Sequence, residues 1–239
     1  MMSKLHKAWQ VLNKPGIAGA MLHHRVAASV EHESALSGLD CRTVIDIGAN
    51  KGQFSLMARH LFPKANIVAF EPLPGPAGIF RAVFALDTNV LLHSVAIGTR
   101  SGQQVMHVSA RDDSSSLLPI GDAQSRIFPG TQESSVTTVE TDRLANLIPL
   151  ATIRKPALLK LDVQGYELEA LQGSEELLDQ FAWIYCECSF LPLYEGQSMA
   201  DEVIAWLREH AFKLTGVYNM AYDDRGKSVQ ADFLFSAAG

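Results

Sequence analysis

Cysteine is scarce: only Cys41, Cys186 and Cys188 occur among the 239 residues. An odd number without ligand-like spacing argues against a disulfide framework and points to free thiols in a reducing, cytoplasmic setting. Cys186-x-Cys188 lies inside an apolar run and reads as two small buried hydrophobes. Positive charge is also short, with 20 Lys and Arg against 26 Asp and Glu, a net charge of −6. That balance disfavours a nucleic-acid partner held by phosphate neutralisation. No apolar run approaches the ~18 residues that a transmembrane helix needs. Lys14-Pro15-Gly16 interrupts the one stretch that could serve as the core of a signal peptide. Nor is there a close cluster of carboxylates beyond the separated Asp162 and Glu187, so no metal is expected.

What is present begins with 47% hydrophobic residues, enough chain to bury one ample core. Residues 1–40 form a distinct N-terminal section in which Lys4, Lys7, Lys14 and Arg25 precede the first acid, Glu31. It is expected to be a helical extension that packs on the main domain or across a homodimer, with a basic amphipathic segment touching a membrane or partner as the other reading. Residues 41–239 are expected to form the main domain.

That domain is organised around Val44-Ile-Asp-Ile-Gly-Ala-Asn-Lys-Gly-Gln-Phe54. Thr43 to Ile47 suits a buried strand, Gly48 and Gly52 mark a turn, and Gln53 to Leu61 has helical spacing. Glycines there allow φ > 0 and close approach of a ligand, while the helix start offers N–H donors. The spacing Gly48-x-Asn50-x-Gly52 is not the G-x-G-x-x-G dinucleotide fingerprint. A second apolar run, Asn66 to Phe70, ends on Glu71-Pro72 about twenty residues past the turn, where an acid reaches a ribose. Together these point to an adenosine-containing cofactor.

Strand-like and helix-like segments then alternate: a helix around 75–86, a strand over Val90–Ile97, another over 103–109, and a long polar loop from Gly121 to Ser135 that reads as a lid or a poorly ordered segment. Val136–Thr141 is strand-like, Asp142–Leu150 a short helix, and Ala157–Asp162 a buried strand followed by a helix ending near Gly173. Phe181–Cys188 is a strand and Ser198–His210 a helix. Phe212–Tyr218 and Ala231–Ser236 follow without a helix between them, so they should pair antiparallel.

On these pieces the chain resembles the FkbM family of S-adenosylmethionine-dependent methyltransferases. The matching segments are Asp46–Phe54, Phe70-Glu-Pro72, Val95–Gly98, Ser114–Leu118, Leu159–Glu167 with Leu171-Gln-Gly173, Glu187-Cys-Ser189 and Tyr194-Glu-Gly196, in the family's order. The resemblance implies an α/β fold: a Rossmann-like, seven-stranded class I methyltransferase sheet with the last strand antiparallel and helices on both faces. It also implies S-adenosylmethionine as cofactor and methyl transfer, generally to oxygen. Carried onto this chain, Asp46, Gly48, Asn50, Gly52 and Phe54 line the methionine end, Glu71 and Pro72 the ribose, Val95 and Ala96 the adenine neighbourhood, and Ser115 within Ser114-Ser-Ser116 closes over the amino-acid end; Asp162 adjoins the cofactor. Residues 1–40 fall outside the resemblance.

An alcohol acceptor must lose a proton, so a base is sought at the carboxyl ends of strands. Asp162 and Glu187 occupy such ends. Lys160, costly in an apolar strand unless paired, is expected to pair with Asp162 or Glu187 and set their charge, or to form an ion pair that only fixes the sheet. Glu167 reads as a first-turn carboxylate complementing a helix, or as a base. His93 and His107 are alternative bases or structural histidines, and Tyr194 is an acceptor-facing aromatic or loop packing. The expected activity is O-methylation of a small-molecule or glycan hydroxyl on a sugar or natural product. A nicotinamide-dependent oxidoreductase and a non-catalytic binding module are the alternatives.

Overall fold

The computed structural model describes residues 14–238. Lys4, Lys7 and the start of the N-terminal section lie outside the described residues. In chain order the helices are α1 (Pro15–His24), α2 (Glu33–Leu36), α3 (Gln53–Leu61), α4 (Pro74–Val83), α5 (Asp122–Ile127), α6 (Leu144–Leu147), α7 (Glu167–Gly173) and α8 (Ala200–Glu209). The strands are β1 (Thr43–Ile47), β2 (Asn66–Phe70), β3 (Val90–His93), β4 (Ala96–Ile97), β5 (Gly102–Ser109), β6 (Glu133–Asp142), β7 (Ala157–Leu161), β8 (Trp183–Ser189), β9 (Phe212–Tyr222) and β10 (Ser228–Ala237).

Seven strands form one sheet in the order β3-β2-β1-β7-β8-β10-β9. β1 pairs parallel with β2 and β7, and β7 pairs parallel with β8. β10 runs antiparallel to both β8 and β9, so the terminal hairpin slots its last strand between two that run the other way. This is the α/β architecture expected from the sequence, with six strands sharing one direction.

Strand periodicity decides what each face carries. Ile45, Ile47, Leu159 and Leu161 point to the face covered by α7 and α8, where they pack with Leu171, Val203 and Leu207. Val44, Ile67 and Leu158 point the other way, against Phe54, Ala58 and Leu36. The same alternation places Asp46 beside Val44 and Lys160 beside Leu158, on the α3 face. From α1 onward the N-terminal section packs on that face too: Ile17, Val26, Ala28 and Val30 are buried against Leu56, Met57, Phe80 and Phe84. Its docking surface is therefore the chain's own α3 and α4.

Several expectations require correction. The run Val90–Ile97 is not one strand: the chain leaves the main sheet after His93, and Ala96 and Ile97 pair with Thr141 and Asp142 of β6 in a second, three-stranded sheet, β4-β6-β5. The stretch 121–135 contains α5 and the first residues of β6, with α5 begun at Gly121 and Asp122. The helix expected over 142–150 shrinks to α6, because β6 continues through Asp142. All three cysteines are buried free thiols, and Cys186 and Cys188 sit with their sulfurs 3.7 Å apart.

Candidate functional site

The carboxyl ends of β1, β2, β7 and β8 open into a cavity of about 900 Å³, within the size range of small-molecule sites. Gly48 and Asn50 from the β1–α3 turn, Glu71 and Pro72 after β2, Val95 and Ala96 before and within β4, Ser115, Phe54, Lys160, Asp162 and Glu187 all line it. One crevice thus collects residues spread over more than half of the chain. Two expected residues are placed elsewhere. Asp46 is completely buried beneath the floor, its Oδ2 accepting a 2.6 Å hydrogen bond from Ser55. Gly52 (φ 94°) packs against α4, where a Cβ would lie 2.7 Å from Phe84 and 3.0 Å from Phe80.

The β1–α3 turn differs from a phosphate cradle. Gly48 and Ala49 donate their N–H groups to the Phe70 carbonyl, each at 3.0 Å, and Asn50 N–H donates to Glu71 Oε2 at 3.0 Å. Lys51 N–H is held by Asn50 Oδ1 and Gln53 Oε1, and Gly52 N–H by the Ala49 carbonyl. The turn amides from Gly48 to Gly52 are therefore engaged by the protein's own acceptors. What the turn presents instead is the Glu71 carboxylate, oriented from both sides because its Oε1 also accepts Leu73 N–H at 2.8 Å. Burial pushes this carboxyl up to about 7, against the pull of the two backbone N–H groups and of Lys160.

Lys160 does not pair with Asp162 or Glu187 as expected. Its ammonium lies 2.9 Å from Asp46 Oδ1 and donates to the Gly48 carbonyl at 3.0 Å. β1 and β7 pair with Asp46 directly opposite Lys160, so the cross-strand neighbour, at the ~4.8 Å strand spacing, is closer than Asp162 two residues along the same strand. The ammonium also lies over the Phe54 ring, 5.3 Å from its centroid, a cation–π contact.

Asp162 and Glu187 are tied together by Gln164, whose amide donates to Asp162 Oδ1 at 2.6 Å and to Glu187 Oε2 at 3.1 Å. Gln230 donates to Glu187 Oε1 at 2.7 Å. Burial first, then the charges of Asp162 and Asp232, drive Glu187 well above the usual carboxylate range; burial also raises Asp162 against the opposing pull of Lys160. A carboxyl raised in this way keeps its proton to higher pH than a solvent-exposed one.

Glu167, His93, His107 and Tyr194 are not among the residues that line the cavity. Glu167 Oε1 accepts the N–H groups of Val163 and Gly165, each at 3.1 Å, which fixes the start of α7. His93 stacks on Phe70 with centroids 5.1 Å apart, and burial lowers its basicity. His107 pairs with Glu133 on the second sheet. Tyr194 is buried, its hydroxyl bonded to Gln164 Oε1 at 2.8 Å and to the Ser114 carbonyl at 3.1 Å. It supports the Gln164 bridge from behind. Ser114 and Ser116 line the cavity on either side of Ser115, whose hydroxyl accepts Ser109 N–H.

Sequence reasoning missed His32, Asn219 and Asp232, all of which line the same cavity. Asp232 carried a signal, a lone acid in the apolar run Val229–Phe235. It stands opposite Glu187 across the β8–β10 pair. His32 lies in the N-terminal section, where no periodicity marks it. Among the described residues, no group of three or more His, Cys, Asp and Glu side chains is arranged to hold a metal, and no helix is long and apolar enough to cross a membrane.

Comparison with known proteins follows the same lines. The family model of the methyltransferase FkbM domain matches residues 46–214. The chain is 31% identical over 160 residues to the 2-O-methyltransferase NoeI of Sinorhizobium fredii (strain NBRC 101917 / NGR234), covering 64% of this chain and 66% of that protein. It is 24% identical over 145 residues to Methyltransferase 1 of Beauveria bassiana (strain ARSEF 2860), covering 56% and 58%. With the 31-O-demethyl-FK506 methyltransferase FkbM of Streptomyces tacrolimicus it shares 28% identity over 198 residues, 71% of this chain and 72% of that one. The match thus spans just under two thirds of NoeI and less of Methyltransferase 1. His32 and Asp232 both lie outside the span of the family model.

Proposed function

This chain belongs to the FkbM methyltransferase family, and from that premise we propose that it transfers the methyl group of S-adenosylmethionine to a hydroxyl oxygen of a sugar, glycan or other polyhydroxylated natural product. The observation that carries the cofactor is the closed β1–α3 turn facing Glu71. A dinucleotide needs free turn amides for its pyrophosphate. Here those amides are engaged internally, and a buried carboxylate takes their place on the cavity wall. A carboxylate with both oxygens held in position suits the paired hydroxyls of a ribose. The apolar wall of Leu73, Val95, Ala96 and Ile97 suits a purine face. Gly48, Asn50, Ser115 and Asp162 are the residues we assign to the amino-acid end.

The cofactor supplies an electrophilic methyl group on a sulfonium, and the chain's residues must position an oxygen against it and exclude water. At the other end of the cavity, the amides of Gln164, Asn219 and Gln230 are interleaved with the carboxyl groups of Glu187 and Asp232. Such a mixture of donors and acceptors matches hydroxyl groups, and the Asp232 carboxylate disfavours an anionic acceptor. The names of NoeI and of the FK506 enzyme both specify O-methylation, which supports an oxygen acceptor here.

Calorimetric titration with S-adenosylhomocysteine, with NAD as control and Glu71→Ala as the variant, tests this reading. Micromolar binding of the former alone, lost in the variant, is the expected result. Heat from NAD and none from S-adenosylhomocysteine would overturn it.

A further inference from the structure

His32 enters the cavity from outside the family domain and meets a polar cluster contributed by three strands, in which Tyr185 and Asp232 are buried. Its Nδ1 lies 3.0 Å from the Tyr185 hydroxyl and 3.2 Å from Asp232 Oδ2. Tyr185 donates its own O–H to Asp232 Oδ2 at 3.0 Å, and Asn219 donates an amide N–H to the same oxygen at 2.7 Å. With its proton given to Asp232, the tyrosine oxygen can only accept from Nδ1, and Asp232 as a carboxylate can only accept. Tyr185 and Asp232 therefore call for a proton on Nδ1; the Asn219 amide nitrogen also lies 3.3 Å from Nδ1, but its N–H is directed to Asp232 Oδ2 at the shorter 2.7 Å. The neutral ring then carries its lone pair on Nε2, which has no hydrogen-bond partner among the described residues on a side chain that lines the cavity. Although burial works to raise Asp232, its bond with His32 and the charge of that ring when protonated, with the bonds from Asn219 and Tyr185, hold it below the usual carboxylate range. The ring is clamped edge-on between Phe54 and Tyr185, with centroids 5.4 and 5.5 Å away.

We propose that His32 Nε2 is the base that takes the acceptor's hydroxyl proton, with Asp232 and Tyr185 as positioning residues that hold the imidazole in the tautomer that can accept it. This deepens the methyltransferase reading above and rests on it. The acceptor proton passes to Nε2, the oxygen's electron pair goes to the methyl carbon, and the carbon–sulfur pair stays on sulfur; the imidazolium then returns its proton to water. The imidazolium formed in this step faces Asp232, with Asp162 and Glu187 nearby and the Lys160 ammonium already paired to Asp46. Asp162 and Glu187, the bases expected from the sequence, share the Gln164 amide, and Glu187 also accepts from Gln230, so we assign them to holding the acceptor rather than to deprotonating it. The base would thus come from the N-terminal section, which gives that section a role in the chemistry beyond covering α3 and α4.

The test uses the full chain labelled with ¹⁵N-histidine and loaded with S-adenosylhomocysteine at pH 8, with His32→Gln identifying the resonance. The expected spectrum shows a neutral ring protonated at Nδ1 with Nε2 bare, and in Asp232→Asn a shift towards the Nε2-protonated form. A proton on Nε2 in the unmodified chain would overturn the assignment whichever acceptor is used. In parallel, methyl glycosides and 31-O-demethyl-FK506 serve as acceptor probes. With any probe that turns over, His32→Gln is expected to lower kcat by roughly 100-fold or more while S-adenosylhomocysteine affinity stays within about threefold, which also shows that the variant is folded. Retention of kcat in His32→Gln would reject the base. Absence of S-adenosylhomocysteine binding in the unmodified chain would instead reject the methyltransferase reading.

Discussion

Lys160 and Asp46 form an ion pair inside the main sheet, Nζ to Oδ1 at 2.9 Å, with side chains only 5% and 0% exposed. Burial opposes a charge on Lys160, but Asp46, Asp162 and Asp232 together hold its ammonium above the ordinary lysine range. The Lys160 ammonium also braces the Gly48 carbonyl of the β1–α3 turn. Removing one partner strands the other charge. We expect Lys160→Met to cost about 3–5 kcal/mol of stability, and Asp46→Asn with Lys160→Met together to cost less than Lys160→Met alone. Urea unfolding of the single and double variants measures the difference. A loss in the double variant equal to the sum of the two single losses would mean that the two charges are not coupled.

The pairing of Lys160 also shows where the sequence was legible. The alternation Val44/Ile45/Asp46/Ile47 announced a strand buried on both faces, and Glu71-Pro72 at the end of the next run announced the cavity wall. Both are local patterns. That Lys160 meets Asp46 depends on β7 lying beside β1, a contact between residues far apart in the chain that no local period encodes. The second sheet was similarly hidden: β6 exposes most of its residues, so its apolar alternation is faint, and β4 is two residues long. His32 had no pattern to betray it, because its place is set by Ile17, Val26, Ala28 and Val30 docking on α3 and α4.

Glu71 gives a pH signature to ligand binding. Its carboxyl is pushed up to about 7, so it takes up a proton as the pH falls through that value. If the ribose hydroxyls require the carboxylate, the Kd for S-adenosylhomocysteine should rise about tenfold from pH 8 to pH 6, following the fraction ionised. Glu71→Gln should bind more weakly at pH 8 and show no such slope. Calorimetry at the two pH values checks this, and an unchanged slope in the variant would remove Glu71 from the binding event.

Glu167 should write the opposite kind of signature, in stability. It too is pushed up to about 7, first by burial and also by Asp162, against the N–H groups of Gly165 and Val163. A carboxyl whose folded value lies above its unfolded one binds more protons when folded, so its contribution is favourable at low pH and is lost as the pH rises towards 7. The displacement corresponds to roughly 3 kcal/mol at most. Glu167→Gln keeps an oxygen to accept the two N–H groups and removes the charge. Its Tm relative to the unmodified chain should therefore climb between pH 5 and pH 8. A constant difference across that range would show that burial does not raise the Glu167 carboxyl in the folded protein.

Gly48 is the position where backbone conformation and packing leave the least latitude. Its φ is 77°, and a Cβ there would stand 1.9 Å from the Asp162 carbonyl oxygen, an atom of the chain's own backbone that cannot rotate away. Gly48→Ala must therefore separate β1 from the end of β7 at the point where Gly48 and Ala49 bond to Phe70 and Asp162 N–H bonds to the Ile47 carbonyl. We expect a loss of at least ~3 kcal/mol, together with loss of S-adenosylhomocysteine binding. Gly78 provides the contrast: it lies within α4, with nothing within 4 Å of an added Cβ. Gly78→Ala should stabilise the chain by about 0.5–1 kcal/mol through reduced backbone entropy in the unfolded state. Thermal unfolding of the two variants should move in opposite directions. A tolerated Gly48→Ala would mean that the β1–α3 turn can open away from Asp162, and that the closed turn facing Glu71 is not what selects the ligand.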